Sequence, residues 1–282
     1  MTIIKADTGG TALPGLGFDE YLALDGVNSS TLKEMRRSPL HCKWRMDHDR
    51  QDTASLSLGR AVHTAILEPA EFSERYAIAP KVDRRTKAGK ADWADFQEQA
   101  GERELLGTED ADTIDSIAKA VTNNSLASSY LELPGQSELS VVWTDAATDR
   151  RCKARIDRYT HQGGKPLIID VKTTRSITPS GFARDAAKFG YHLQAAFYCR
   201  AVASLEPGRI PSLLFLAVET LPPFAVAIYR LGEESFASGD LLVDELLGEF
   251  TACEASSAWP GPTTTVRDIN LPAWALESGG RE

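Results

Sequence analysis

Apolar residues are spaced differently in the two halves of this chain. Between residues 18 and 134 they recur every three to four positions, which predicts helices. Between residues 135 and 254, short apolar runs bounded by Gly, Pro and Asp predict strands. Helical spacing returns in Pro179–Phe189 and in residues 191–200. The pattern therefore predicts an α/β protein whose sheet lies mainly in the second half.

The same pattern divides the chain into an arm, one domain and a tail. Residues 1–17 are rich in Gly and Thr, and we expect a flexible arm. Residues 18–254 are expected to form a single domain, with a helical part up to residue 134 and a sheet-containing core from residue 135. Residues 255–282 are expected to form a C-terminal tail.

Helix boundaries in the first part follow from residues that cap helices. Ser29 or Ser30 is expected to cap a helix that ends near Pro39, because a short hydroxyl side chain can accept a hydrogen bond from a free backbone N–H. A helix is expected over residues 91–100. Another is expected over residues 108–130, with Thr108 as its cap.

Two charged residues interrupt the most apolar predicted strand, residues 166–174. Side chains alternate along a strand, so Asp170 and Lys172 share one face, opposite Ile169 and Val171. Burying an unpaired charge costs several kcal/mol. One interpretation is a structural ion pair. The other is a metal site, in which Asp170 binds a divalent cation and Lys172 faces a phosphate group.

A second carboxylate favours the metal site. Asp157 lies in the preceding alternating strand, and turn-forming residues separate that strand from the next. Asp157 and Asp170 can therefore meet across a hairpin. Two carboxylates and a lysine that converge in this way form a hard-oxygen site suited to Mg²⁺ or Mn²⁺.

Two further residues have both a structural and a functional interpretation. His63 lies on a predicted helix with small residues, where a single histidine is most often a core residue with satisfied hydrogen bonds. A neutral imidazole is also an acceptable metal ligand. Glu138 begins a strand and is either a surface carboxylate or a group near a second metal.

A basic run is the main candidate for nucleic-acid contact. It contains Arg84, Arg85, Lys87 and Lys90, which either bind DNA phosphates or form a mobile surface loop. A second basic segment extends from Lys33 to Arg50.

Composition limits the possible classes of protein. The chain has 282 residues and a net charge of -9, which argues against a protein that coats nucleic acid indiscriminately but not against a locally basic channel. No apolar run approaches the roughly 18 residues of a membrane span, and the N-terminus lacks a signal-peptide pattern. The four cysteines are scattered and are expected to be free thiols, which predicts a cytoplasmic protein.

The arrangement Asp157, then Asp170-Val171-Lys172, resembles the core of the PD-(D/E)XK nucleases, with Ile156-Asp157 in place of Pro-Asp. Gly59 followed by His63 resembles the helix motif that precedes this core in the RecB-like branch. Gln194-x-x-x-Tyr198 resembles the motif downstream of it.

The resemblance is closer to the RecE-like exonucleases and covers about residues 20 to 250. It rests on the segments 28–32, 37–39, 58–69, 84–90 and 218–224 in this order, together with the two-aspartate core. It implies a restriction-endonuclease-like fold, with a mixed central sheet flanked by helices. It also implies that His63, Asp157, Asp170 and the Val171 carbonyl bind the metal.

The remaining implied roles belong to Lys172, Gln194 and Tyr198. Lys172 would orient or deprotonate the attacking water, or stabilise the transition state. Gln194 and Tyr198 would hold the Lys172 strand or touch the DNA backbone.

The implied activity is an ATP-independent, Mg²⁺-dependent exonuclease that resects the 5′ ends of duplex DNA in a bacterial host. Its partners would be duplex DNA ends, a RecT-like annealing protein for the 3′ single strands, and further copies in a ring-like oligomer. A restriction-type endonuclease and a non-catalytic DNA-binding or assembly protein on the same fold are the alternatives.

Overall fold

Helices dominate the first part of the chain and a sheet the second. The computed structural model describes residues 9–48, 53–263 and 265–271. In chain order the elements are β1 (Thr11–Leu13), α1 (Phe18–Ala23), α2 (Ser29–Met35), α3 (Pro39–Asp47), α4 (Ala54–Leu67), a 3₁₀ turn (Pro69–Glu71), α5 (Phe72–Arg75), β2 (Tyr76–Ile78), α6 (Lys87–Ala100), β3 (Glu104–Leu106), α7 (Thr108–Asn123), α8 (Ser125–Leu131), β4 (Gly135–Asp145), β5 (Arg150–Gln162), β6 (Lys165–Thr174), α9 (Pro179–Phe189), α10 (Tyr191–Leu205), β7 (Ser212–Glu219), β8 (Val226–Tyr229) and α11 (Glu233–Ser256).

The main sheet has six strands in the order β1-β4-β5-β6-β7-β8. The pairs β1–β4, β4–β5, β5–β6 and β7–β8 are antiparallel, whereas β6–β7 is parallel. The parallel pair is connected through α9 and α10, as a parallel pair requires a crossover. The prediction of an α/β fold with a mixed central sheet is confirmed. A separate parallel pair is formed by β2 and β3.

Two apolar clusters cover the two faces of the main sheet. One includes Phe197 of α10, Leu247 of α11 and Ile168 of β6. The other includes Ile117 of α7 and Ile169 of β6. Neighbouring residues of β6 therefore enter opposite clusters, as the alternation of side chains along a strand requires. This burial on both faces makes β6 a fixed support for the charged residues it carries.

The predicted N-terminal arm is wrong for the part that the structure describes. Thr11–Leu13 pairs with β4, and Gly10 N–H donates to the Ser204 carbonyl at 3.2 Å. The strand forms because the outer edge of β4 offers unpaired backbone groups. Residues 1–8 lie outside the described residues.

Several predicted helix boundaries are also corrected. Asn28, not Ser29 or Ser30, caps α2, because its carboxamide oxygen accepts a bond from Thr31 N–H at 2.8 Å. Helix α6 begins at Lys87 because Thr86 caps it through Gly89 N–H. The N-cap of α7 is Gly107 rather than Thr108, and the predicted helix over residues 108–130 is two helices separated at Asn124.

The last helix extends past the residue at which the domain was expected to end. Helix α11 continues to Ser256, beyond the expected boundary at residue 254, and the ring of Trp259 packs on Phe250. Among the described residues, no helix is long and apolar enough to cross a membrane.

Candidate active site

Strand β6 places one carboxylate deep in the protein and one ammonium beside it. Asp170 is fully buried, and its Oδ2 forms an ion pair with Lys172 Nζ, whose side chain is 14% exposed. The ring of Tyr191 lies 5.2 Å from this ammonium. The predicted sharing of one strand face by these two charges is therefore observed as a direct contact.

The hairpin that joins β5 to β6 sets the register of the second carboxylate. Gly163 and Gly164 form the turn with positive φ angles of 57° and 75°, which suit a two-residue hairpin loop. The ladder extends from Gln162 opposite Lys165 to Arg158 opposite Ile169. One further step in this register places Asp157 opposite Asp170.

The ladder ends at this step because the Asp157 side chain enters the gap between the strands. Its Oδ2 accepts a hydrogen bond from Val171 N–H at 2.8 Å. The alternation of β5 also shifts here, since Ile156 and Tyr159, three residues apart, contact the same apolar cluster. In an extended strand the N–H and C=O of one residue point the same way, so the Val171 carbonyl also faces this gap.

Helix α4 brings the histidine to the same gap. Its contact face is formed by small or compact residues, and Ala61 and Val62 are fully buried. Nδ1 of His63 lies 3.4 Å from Asp157 Oδ2. The side chain of His63 is 27% exposed, so it lies at the surface end of the site rather than within the apolar core.

Glu138 is the carboxylate whose position the sequence left open. It lies in β4 between Ser137, which pairs with Arg158, and Leu139, which pairs with Ile156, so it is level with Asp157. Its φ of 52° is uncommon for a non-glycine residue and redirects the strand at this point. Its side chain is 17% exposed, which excludes the interpretation as an ordinary surface carboxylate.

Arg155 holds Glu138 in place. Its Nε donates to Glu138 Oε2 at 2.7 Å, and its Nη1 donates to the Leu16 carbonyl at 2.7 Å. The same Nη1 lies 3.2 Å from Ser140 Oγ. The segment before α1 is therefore linked to the site through one guanidinium.

Crowding of the carboxylates changes their proton affinity. Burial, followed by the nearby charge of Asp170, raises the pKa of Asp157 to about 7. Burial and the charge of Asp157 raise the pKa of Glu138. Both groups are therefore easier to protonate than free carboxylic acids, and a bound cation would relieve this unfavourable arrangement.

The pKa values of the two basic residues shift in opposite directions. Burial and the charge of Lys172 lower the pKa of His63, which keeps its imidazole neutral and able to donate a lone pair. Burial opposes the charge of Lys172, but Asp170 and Asp157 outweigh it and raise the pKa of Lys172. Lys172 is consequently a cation at neutral pH.

These residues fit a small divalent cation. One donor atom from each of His63, Glu138 and Asp157 lies within 4.8 Å of the others. Ligands of one cation stand about 2.0–2.6 Å from it, and so at most about twice that distance from each other. Asp170 and the Val171 carbonyl border the same strand gap and could complete the coordination or bind a second ion.

Helix α10 contributes the downstream pair of predicted residues. Gln194 Nε2 donates to Asp170 Oδ1 at 3.2 Å. Burial and the charges of Asp170 and Asp157 raise the pKa of Tyr198 well above its ordinary value, and a hydrogen bond with Gln194 opposes this shift. Both residues lie beside Asp170, as their spacing of four residues on one helix allows.

The predicted DNA-binding run is partly helical, whereas a surface loop was one of the two expectations for it. Arg85 forms hydrogen bonds with Asp83 at 2.9 and 3.1 Å, and Arg84 lies over the Trp93 ring at 4.6 Å. Lys87 and Lys90 belong to the first turn of α6. Two of the four charges thus stand on a capped helix, and Arg84 and Arg85 lie in the turn before it.

One solved structure similar to this chain is described as that of a "Putative exonuclease" from Eubacterium rectale. It has a TM-score of 0.60 and 14% sequence identity, and the match covers 94% of this chain and 98% of that one. At this identity the likeness shows the fold alone.

Two other solved structures are much less similar. SSO0001 has a TM-score of 0.33 and 13% identity, with coverage of 82% of this chain and 81% of that one. VC1899 from Vibrio cholerae has a TM-score of 0.23 and 11% identity, with coverage of 88% and 58%.

Sequence comparison provides the family. No curated protein sequence matches the chain. A family model described as a PDDEXK-like domain of unknown function (DUF3799) matches residues 28–268, which include all the charged residues of the site. The protein therefore belongs to this PDDEXK-like family, DUF3799.

Proposed function

We propose that this protein is a metal-dependent exonuclease that resects the 5′ ends of duplex DNA and leaves 3′ single strands. The observation that carries the proposal is the convergence of His63, Glu138, Asp157, Asp170 and Lys172 at one gap in the sheet. Membership of a PDDEXK-like family supports nuclease chemistry in general. The preference for duplex ends rests on the RecE-like motifs in the sequence.

The carboxylates and His63 would bind Mg²⁺ or Mn²⁺. Asp157 and Glu138 supply the hard oxygen atoms that these ions prefer, and the neutral His63 supplies a nitrogen. When bound, such an ion lowers the pKa of a water molecule and neutralises charge on the phosphate. The protein contributes by holding these donors in place before DNA arrives: Val171 N–H of the buried strand β6 fixes Asp157, and Arg155 fixes Glu138.

Lys172 is better suited to stabilise charge than to remove a proton. Its pKa is raised by Asp170 and Asp157, so at neutral pH it has no lone pair with which to act as a base. Its ammonium can orient the attacking water and stabilise the negative charge that develops on the phosphate. Gln194 keeps the Asp170 carboxylate in place by donating to Oδ1.

The proposed partners follow from the same reaction. Duplex ends are the substrate, and a single-strand annealing protein would take up the 3′ strands in the cytoplasm of a bacterial host. A ring-like assembly of several copies would keep the enzyme on its substrate. Sequence readout is not expected, because resection must proceed through any base sequence.

Digestion of end-labelled DNA tests the proposal. Linear duplexes labelled at the 5′ or the 3′ end and a closed circular duplex are incubated with and without Mg²⁺. The proposal predicts metal-dependent release of the 5′ label, retention of the 3′ label in the remaining single strands, and no cutting of the circle. Cleavage of the circle would instead indicate an endonuclease, and binding without cleavage a non-catalytic protein.

A further inference from the structure

Lys33 is distant from the site in the sequence, but the side chain of Gln194 links it to the buried carboxylate of Asp170. Lys33 Nζ, on α2, donates to Gln194 Oε1 at 2.9 Å, and Gln194 Nε2 donates to Asp170 Oδ1 at 3.2 Å. Lys33 and Gln194 are 161 positions apart in the sequence. The three residues form a continuous row of hydrogen bonds from the half-buried Lys33 to the fully buried Asp170.

The chemistry of the row fixes the orientation of the amide. A lysine ammonium can only donate hydrogen bonds, whereas a carboxylate can only accept them. Gln194, with one donor end and one acceptor end, satisfies both neighbours in a single orientation. Loss of Lys33 would remove one of the two groups that select this orientation, so the amide would be held less firmly against Asp170.

Lys33 is itself held in place from two sides. Its neighbours in α2, Leu32 and Met35, are 0% and 2% exposed, so the helix is anchored in the core. Its ammonium lies 5.8 Å from the Tyr191 ring, which also faces Lys172 at 5.2 Å. Favourable cation–π contacts operate at such distances.

The Tyr191 ring is fixed by aromatic packing. Its centroid lies 5.8 Å from that of Phe182 and 5.7 Å from that of Phe215. One ring fixed by packing therefore lies near both ammonium groups, of which Lys33 bonds Gln194 and Lys172 pairs with Asp170.

We propose that Lys33 is a positioning residue that orients Asp170 for metal binding and hydrolysis by fixing the Gln194 amide. This inference rests on the proposed metal-dependent function of the site. It assigns Lys33 an indirect role, in contrast to the direct phosphate contact expected for the basic segment from Lys33 to Arg50. The two roles predict different kinetics, because a residue that acts through Asp170 alters turnover, whereas a phosphate contact alters substrate affinity.

The test is a double-mutant cycle with Lys33→Met and Gln194→Met. Two readouts are used: Mn²⁺ affinity measured by calorimetry without DNA, and kcat and KM on linear duplex DNA. We expect Lys33→Met to weaken Mn²⁺ binding and lower kcat by about tenfold each, the range for residues that orient metal ligands, with KM within about twofold. In the Gln194→Met background the same substitution should change each value by less than about twofold.

Charge and folding are controlled separately. Arg36→Met removes a positive charge from the end of the same helix, where Arg36 bonds the Ala187 carbonyl instead of Gln194, and calibrates the effect of charge on Mn²⁺ affinity. Melting temperatures confirm that each variant is folded. Additive effects of the two substitutions, a raised KM with unchanged kcat, or no effect of Lys33→Met would each overturn the inference. If the wild type binds Mn²⁺ but does not hydrolyse DNA, the proposed function fails, while the calorimetric cycle still decides the role of Lys33.

Discussion

Helix α10 connects two buried groups of charged residues that are built in opposite ways. At one end of the helix, Arg200 is 2% exposed and lies at the centre of its group. Its Nε and Nη1 donate to Asp240 and Asp244 at 2.7 and 2.8 Å, and its Nη2 donates to the Asp240 carbonyl at 2.9 Å. Burial opposes the charge of Arg200, but Asp244 and Asp240 outweigh it and raise the pKa of Arg200.

Toward the other end, Gln194 faces a group in which carboxylates lie at the centre. Burial and the charge of Asp170 raise the pKa of Asp157 to about 7. Burial and the charge of Asp157 raise the pKa of Glu138. Here the surroundings disfavour the charged form of two carboxylates, whereas in the Arg200 group they favour the charged form of the guanidinium. The difference distinguishes an ion cluster that stabilises the fold from a group of carboxylates that a bound cation would stabilise.

The largest expected effect is on the Arg200 group. Arg200→Met leaves Asp240 and Asp244 without their central cation, and breaking a buried pair in this way costs about 3–5 kcal/mol of stability. Urea unfolding measures this loss. Arg209→Met provides the matched control, because Arg209 is 56% exposed and its pair with Glu206 is worth at most about 1 kcal/mol. Equal losses in the two variants would remove the structural role assigned to the Arg200 group.

At Asp157 we expect a substitution to stabilise the metal-free protein, whereas the substitution of Arg200 destabilises it. The unfolded chain releases this proton near the ordinary pKa of 3.8, and the folded protein near 7. The folded state binds more protons between these values, so stability falls as pH rises from about 4 to about 7 and stays low above it. Asp157→Asn removes this penalty and should stabilise the protein at pH 8 by about 1 kcal/mol or more, or about 2–4 °C.

Melting curves in a chelator at pH 5 and pH 8 check this expectation. The advantage of Asp157→Asn should be smaller at pH 5, where the wild-type carboxyl group is already protonated in the folded protein. Added Mn²⁺ should reverse the order by stabilising only the wild type. If Asp157→Asn melted below the metal-free wild type at pH 8, the carboxylate-centred group would be stabilising like the Arg200 group, and the contrast between them would be wrong.

The smallest expected effect concerns the basic residues at the start of α6. Replacing Arg84, Arg85, Lys87 and Lys90 with Gln should make the salt dependence of DNA binding shallower, at about 0.9 log units per phosphate contact. Because Arg85 is already paired with Asp83, we expect a change of about three units rather than four. Affinity should fall about equally for unrelated sequences.

The four substitutions are introduced into the inactive Asp170→Asn variant. Binding of this protein and of Asp170→Asn alone to a short duplex in Ca²⁺, over a series of salt concentrations, measures the slope. Lys119→Gln is the matched control, because Lys119 pairs with Asp115 on an exposed part of α7. An unchanged slope in the quadruple variant would move the DNA-binding surface elsewhere.

Local patterns were sufficient to predict the β5–β6 hairpin and the charges it carries. The Gly163-Gly164 turn fixes the register, and the alternation along β6 puts Asp170 beside Lys172. The α/β class also follows from the spacing of apolar residues, which reports which faces are buried, whereas the mixed sheet was expected from the resemblance to the PD-(D/E)XK nucleases. The spacing of Gln194 and Tyr198 placed both on one helix face.

Contacts between distant segments could not be predicted in this way. Glu138 enters the site because the β4–β5 register and a positive φ angle act together, and neither has a clear local signal. The row from Lys33 through Gln194 joins segments 161 residues apart. Strand β1 was missed because three residues in a Gly- and Thr-rich stretch carry too short a pattern to distinguish an edge strand from an arm.

The proposed function requires the carboxylate-centred group to bind a divalent cation in order to hydrolyse DNA. Its most direct test is the rate of nucleotide release from a linear duplex by chelator-treated protein, before and after Mg²⁺ or Mn²⁺ is restored, with folded Asp170→Asn measured in parallel. We expect no release without metal, full recovery on its return, and a loss of at least about 100-fold in Asp170→Asn. Release that persists in chelator, or an Asp170→Asn rate above about a tenth of the wild-type rate, would contradict the claim.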